Sequence, residues 1–145
     1  MFKIVLDAGH GRYTAGKECS YSFDKSRTKE WVLNNRICIK VAEILNNEFQ
    51  KGVDYDLIRS DDTSGETDVA LSTRVKTARD WNADLLISVH HDAGAKGTSA
   101  GGPTVYWRKH SDGDDWIRES YAKALYNNFI ASTGPFGNRA SDVIA

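Results

Sequence analysis

Val5-Leu6-Asp7-Ala8-Gly9-His10-Gly11 is the stretch whose reading decides the fold. Phe2 to Leu6 is a short apolar run with β-branched residues, which predicts a buried strand. The run then meets Asp7, a histidine and two glycines. Gly9 and Gly11 permit backbone shapes that bulkier residues resist. A tight loop at the end of a rigid strand therefore delivers His10, and strand ends are where open α/β sheets place their chemistry. A lone strand-end histidine is more often structural than catalytic, so it needs partners elsewhere in the chain.

Working outward, Arg12 to Lys29 is polar and aperiodic and reads as a long loop, a kind that is often functional in compact domains. Thr28 to Lys51 predicts a helix, with Thr28 as N-cap, Glu30 in the first turn and Gly52 as the stop. Trp31, Leu33, Ile37, Val41, Ile44, Leu45 and Phe49 supply its apolar spacing. Asp54 to Arg59 predicts a second strand, followed by a polar loop from Ser60 to Asp68. Val69 to Trp81 predicts a helix with Leu71, Val75 and Ala78 on one face, and Asn82 and Asp84 mark its turn.

Leu85 to Val89 is apolar enough for a strand buried on both faces, and it runs into His90-His91-Asp92. A small-residue loop, Ala93 to Gly102, leads to a strand from Thr104 to Trp107. Trp116 to Ser132 predicts a helix, with Ile117, Tyr121, Leu125 and Phe129 at spacings of four. The tail, Thr133 to Ala145, ends in Val143-Ile144-Ala145. Strands that alternate with helices predict an α/β fold, a twisted and mostly parallel sheet flanked by helices. No repeat or linker divides residues 1–145, so one domain is expected.

Composition narrows the function. Nineteen basic and twenty acidic residues leave a formal charge of −1, which gives no reason to expect nucleic acid or an anionic membrane. No run is long enough to span a bilayer, and the N-terminus shows no signal-peptide pattern. Synthesis in the cytoplasm is expected, with action elsewhere requiring release by other means. Cys19 and Cys38 match no zinc or redox motif and read as two reduced thiols.

His10 and His90 follow the first and third strands, and parallel strands bring both to one rim. Glu30 opens a helix after a flexible loop and can reach the same rim. Two imidazoles and a carboxylate suit Zn²⁺ and leave a fourth position for water, which is the catalytic pattern. His91 points away from His90 in a strand, so one of the pair is a bystander. His110, in a polar loop, reads as solvated.

These residues resemble the type 3 group of zinc-dependent N-acetylmuramoyl-L-alanine amidases, found in bacterial cell-wall hydrolases and phage endolysins. The likeness runs through Val5 to Gly11, Glu30 with Asn34, Arg59, Leu71 with Arg74, and Ser88-Val89-His90-His91-Asp92-Ala93. It implies His10, Glu30 and His90 as zinc ligands. It implies peptidoglycan as the substrate, cut between the lactyl group of N-acetylmuramic acid and L-alanine. A missing signal peptide favours an endolysin, which would lyse a host cell after release, or an enzyme acting in the cell that makes it, over an ordinary secreted autolysin. Tyr13, Tyr21, Tyr106 and Trp107 are candidates to pack sugar faces, although such aromatics are more often core.

The chain departs from the pattern at two places. The third motif reads His90-His91-Asp92, where the family usually shows a small residue and then asparagine after the histidine, and Asp92 alters the surroundings of the metal ligands. The family's general-base glutamate belongs to a further strand, expected beyond Ala145. Glu18, Glu43, Glu48, Glu66 and Glu119 sit in none of the motifs. The expectation is a C-terminally truncated amidase lacking its last strand, slowed by the loss of its base by about 10²–10⁴-fold. Two other readings stand beside it: a non-catalytic zinc-containing module that binds peptidoglycan, and a different zinc peptidase or amidohydrolase on a similar sheet.

Overall fold

The computed structural model describes residues 1–19, 24–48, 53–57, 64–91, 102–133 and 143–144, with 53–57 and 143–144 described as backbone. The chain divides into two compact units, Met1–Asp92 and Ala93–Ala145.

The first unit is built on β1, Phe2–Ala8. It runs two residues further than the apolar stretch alone suggests, because Asp7 and Ala8 continue the pairing with β3. β2, Val53–Leu57, and β3, Leu85–Val89, flank β1 in the order β2-β1-β3, and both pairings are parallel. The chain thus leaves β1 to one side and later returns on the other. Open α/β sheets bind ligands at such a reversal, beyond the carboxyl ends of the strands.

The central position of β1 explains its burial: Val5, Leu6, Asp7 and Ala8 are all buried. Among the described residues β3 pairs with β1 alone, and it is half-buried with Ser88 exposed, rather than buried on both faces as its composition suggests. At the other end of the sheet, the Asp84 N–H donates to the Lys3 carbonyl at 2.9 Å, while the Lys3 N–H donates to Asp84 Oδ2 at 2.7 Å. Asn82 turns the chain there with φ 54°.

Side chains alternate along β1, so Leu6 and Ala8 face one way and Asp7 the other. Leu6 and Ala8 form the core with Trp31, Cys38 and Ala42 of α1, Glu30–Glu48, while Ile87 and Val89 pack against it. Fully burying a side chain as large as Leu6 is worth about 1.5–3 kcal/mol. The inward face of α1 carries Glu30, Trp31, Asn34, Cys38 and Ala42, whereas Ile37 and Ile44 are exposed. Of the predicted apolar stripe, Trp31 is buried and Val41 and Leu45 pack against the core, so the helix is rotated only enough to leave Ile37 and Ile44 outside. The reason is that two polar residues, Glu30 and Asn34, have partners inside.

Thr28 is not the cap. Its carbonyl accepts from the Cys19 N–H at 2.9 Å and its own N–H donates to Asp24 Oδ2 at 2.9 Å. With an antiparallel bridge between Glu18 and Lys29, the supposed loop folds back on itself ahead of the helix. Lys51 and Gly52, the expected end and stop of α1, lie outside the described residues.

α2, Leu71–Asp80, is likewise turned: Arg74 and Ala78 are buried, and Leu71 and Val75 are exposed. Arg74 takes the inward position because its charge is met there by Asp7. Three helices were expected and three are found among the described residues.

In the second unit, β4, Val105–Tyr106, pairs in parallel with β5, Val143–Ile144. Val143–Ile144 of the apolar tail thus form a strand, paired with β4 in a two-stranded ladder. α3, Asp115–Thr133, buries Ala122, while Tyr121, Leu125 and Phe129 are exposed. His110 is exposed, as a solvated loop histidine should be, with Nδ1 3.5 Å from Asp112.

Candidate metal centre

His10 follows β1 by two residues and His90 follows β3 by one. Ala8 and Val89 are register partners, and the Gly9 N–H donates to the Val89 carbonyl at 2.9 Å. The pairing therefore brings the two rings together, with centroids 4.8 Å apart and planes nearly perpendicular. His10 itself takes the left-handed conformation, φ 64°. The glycines serve a different purpose from the one expected. Neither has a positive φ; both allow close approach. A Cβ on Gly9 would lie 2.2 Å from Cε1 of His90, and one on Gly11 would lie 3.1 Å from the Asp68 backbone.

Glu30 reaches the same place from the first residue of α1. Its N–H donates to the Lys17 carbonyl at 2.9 Å, part of the fold-back that precedes the helix. Its Oε1 lies 3.2 Å from Nδ1 of His90 and 3.5 Å from Nε2 of His10. His10, Glu30 and His90 offer ligand atoms that all lie within 4.8 Å of one another. Donors on a tetrahedral ion about 2.1 Å away sit about 3.4 Å apart, close to both separations from Glu30, so two imidazoles and a carboxylate here form a donor set that could hold a zinc-like ion.

Asn34, one helical turn behind Glu30, holds this group in place. Its Nδ2 donates to the Gly9 carbonyl at 3.0 Å, and its Oδ1 accepts from Nδ1 of His91 at 2.7 Å. The His91 N–H donates to Glu30 Oε1 at 3.1 Å. His91 is thus the histidine outside the ligand group, and it braces two members of the framework.

Arg74 performs the matching task beneath His10. It is 3% exposed, pairs with Asp7, and donates to the carbonyls of Ala8 at 2.9 Å, His10 at 3.1 Å and Val69 at 2.7 Å. Asp7 also accepts from the Ser88 hydroxyl at 2.6 Å, tying β1 to β3. Sequence reasoning assigned no role to Asp7, Asn34, His91 or Arg74. One signal was present: an aspartate inside an apolar strand needs a cation, and Arg74 lies on the apolar face of α2.

Burial pushes the His10 imidazole below its ordinary value, and the nearby His90 and Lys17 push the same way. Glu30 and Asp68 oppose them. A neutral imidazole is the form that ligates metal.

The other candidates lie elsewhere. Glu18 pairs with Arg27 and Lys29, Glu43 with Lys40, and Glu119 with Lys123. Glu66 and Glu48 are exposed and outside the group. Cys19 and Cys38 are free thiols. Tyr13 and Tyr106 are exposed, Trp107 is half-buried, and Tyr21, Arg59 and Asp92 lie outside the described residues.

The first unit is thus a parallel α/β sheet whose carboxyl rim carries a His/Glu/His group that could hold a divalent ion. Residues 4–141 match the N-acetylmuramoyl-L-alanine amidase family. The chain belongs to that family. It is 31% identical over 116 residues to the N-acetylmuramoyl-L-alanine amidase CwlM of Bacillus licheniformis, covering 74% of this chain and 41% of that protein. It is 34% identical over 103 residues to the N-acetylmuramoyl-L-alanine amidase AmiA of Escherichia coli, covering 71% of this chain and 31% of that protein. The matched stretch thus spans less than half of either relative.

Among solved structures, an N-acetylmuramoyl-L-alanine amidase from Clostridium difficile superposes with a TM-score of 0.74 at 23% identity, covering 99% of this chain and 68% of that one. The catalytic domain of CwlV from Bacillus (Paenibacillus) polymyxa gives 0.72 at 24% identity, covering 100% of this chain and 70% of that one. These likenesses establish the fold, and both compact units fall within it.

Proposed function

We propose that this chain is a zinc-dependent peptidoglycan amidase that cuts the bond between the lactyl group of N-acetylmuramic acid and L-alanine. The observation that carries the reading is the convergence of His10, Glu30 and His90 within 4.8 Å at the rim where β1 and β3 end. Family membership supplies the bond.

When bound, zinc supplies Lewis-acid polarisation of an amide carbonyl and brings the pKa of its water to about 7. The chain's own residues do the rest. His10 and His90 would hold the ion through ring nitrogens, with Glu30 placed between them. Asn34 and the His91 N–H fix the direction of Glu30 and the level of the Gly9 backbone. His90 is 44% exposed at its side chain, so the group is open to a large substrate on that side.

Metal content and release of amino groups from purified sacculi, beside a His10→Ala variant, test the reading. Zinc bound equally by both chains contradicts the ligand assignment. Digestion that leaves the lactyl–alanine amide intact contradicts the bond, and the mass of the released fragments identifies the one cut.

None of the described glutamates other than Glu30 stands in the ligand group, and three of them are held by lysine or arginine. This favours a general base other than these paired glutamates.

No helix among the described residues is long and apolar enough to cross a membrane. The proposed site of action is the cell wall, reached after release from the cell that makes the protein. An endolysin is one form of such an enzyme, tested by lysis of susceptible cells from outside.

A further inference from the structure

A recess of about 260 Å³ opens beside the start of α1, lined by Arg12, Trp31, Val32, Asn35, Arg36 and Ile39. Two of these residues carry guanidinium groups and none carries a carboxylate. Neither Arg12 nor Arg36 forms an ion pair among the described residues, in contrast to Arg27, Arg74 and Arg118.

Arg12 lies over the Trp31 ring, 5.3 Å from its centroid, and its Nε is buried without an acceptor. Trp31 is only 2% exposed, and its Nε1 is also buried without an acceptor. The ring is fixed in place, since Gly65 sits so close that a Cβ there would come within 2.5 Å of it. Buried donors of this kind are normally satisfied, and each exception calls for an explanation.

We propose that this recess is a carboxylate-binding subsite that receives an acidic residue of the peptidoglycan stem peptide, an inference that rests on the amidase reading above. Guanidinium groups bind carboxylates through paired N–H donors. Val32 and Ile39 line the rest of the recess with hydrocarbon, which suits a carboxylate on a short aliphatic residue better than a bare phosphate. The volume lies below the roughly 300–1,000 Å³ of pockets that hold a whole ligand, so it takes one residue of a larger substrate. Arg12 follows His10 by two residues and Trp31 follows Glu30 by one, so the recess shares its backbone with the ligand group.

Calorimetric titration with L-alanyl-γ-D-glutamyl-L-lysine and with its α-amide tests the proposal, since neither contains the bond to muramic acid. The wild-type chain is expected to bind the free acid at least about tenfold more tightly than the amide, with the difference shrinking at high salt. Arg36→Gln, at an exposed position, should bring the two within about twofold without moving the melting temperature. Arg12→Gln should do the same and Arg12→Lys should restore part of the preference. Equal binding of acid and amide by the wild type, or an unchanged ratio in Arg36→Gln, overturns the subsite. So does inorganic phosphate binding more tightly than the free acid. Failure of the amidase reading shows separately: sacculi then stay intact while the preference for the acid persists.

Discussion

The imidazole of His90 occupies the space a side chain on Gly9 would need, with Cε1 2.2 Å, Nε2 2.4 Å and Nδ1 2.6 Å from an ideal Cβ there. Gly9 is therefore what lets the third strand's histidine lie against the first strand's loop. Gly9→Ala must displace His90. It is expected to weaken zinc binding by about 10–100-fold, the scale seen when support for a metal ligand is lost. Competition with a chromogenic chelator measures this. Wild-type affinity in a folded Gly9→Ala chain contradicts the geometry.

Arg74 and Asp7 are an ion pair with both side chains 3% exposed. Removing one charge leaves the other buried and unpaired, which costs about 3–5 kcal/mol. Arg74→Ala is expected to lower the free energy of urea unfolding by that amount. It also frees the His10 carbonyl, so zinc affinity should fall with stability. A stability change below about 1 kcal/mol would show that the pair is not buried in solution.

For the metal-free chain, the sign of the His10 effect follows from its cause. Burial, the largest cause, holds the folded-state value below the ordinary 6.5. The unfolded chain then takes up a proton at higher pH than the folded one. Stability from this group is present above pH 6.5 and lost as pH falls through the folded value. Thermal melts from pH 8 to 4 should show a loss that is smaller in His10→Gln. An identical pH profile in the variant sinks the assignment.

Cys38 is 1% exposed, and burial, with the Asp7 carboxylate adding, pushes its thiol from 9.0 up to about 12. Thiolate is the reactive form, so at pH 8 Cys38 should resist iodoacetamide by about a thousandfold relative to an ordinary thiol. Half-exposed Cys19 should be alkylated first, and both should react in urea. The raised value also means that stability from the neutral thiol is lost as pH rises above 9.0. Equal labelling rates in the native chain, followed by mass spectrometry, contradict the burial.

Much of the site was legible in the chain. The pattern of a strand ending in His10, a helix opening at Glu30 and a strand ending in His90 is local, because strands and helix starts leave local marks. The faces of the helices were less legible. Ile37, Ile44, Leu71, Val75, Tyr121, Leu125 and Phe129 mark apolar stripes, yet the helices bury Asn34, Arg74 and Ala122 in preference. Periodicity counts apolar residues and has no means of seeing that a polar one will find its partner inside.

By itself, then, the sequence determined the alternation of strands and helices, the family and the three residues that converge on the rim. Only the tertiary structure decided how they are held. Asn34 on the Gly9 carbonyl, His91 on Glu30, and Arg74 across Asp7, Ala8 and His10 join residues 25 to 67 positions apart. The physical reason is that a buried hydrogen bond depends on the partner's place in space. Parallel pairing of β1 with β3 sets that place, and nothing local to either strand specifies it.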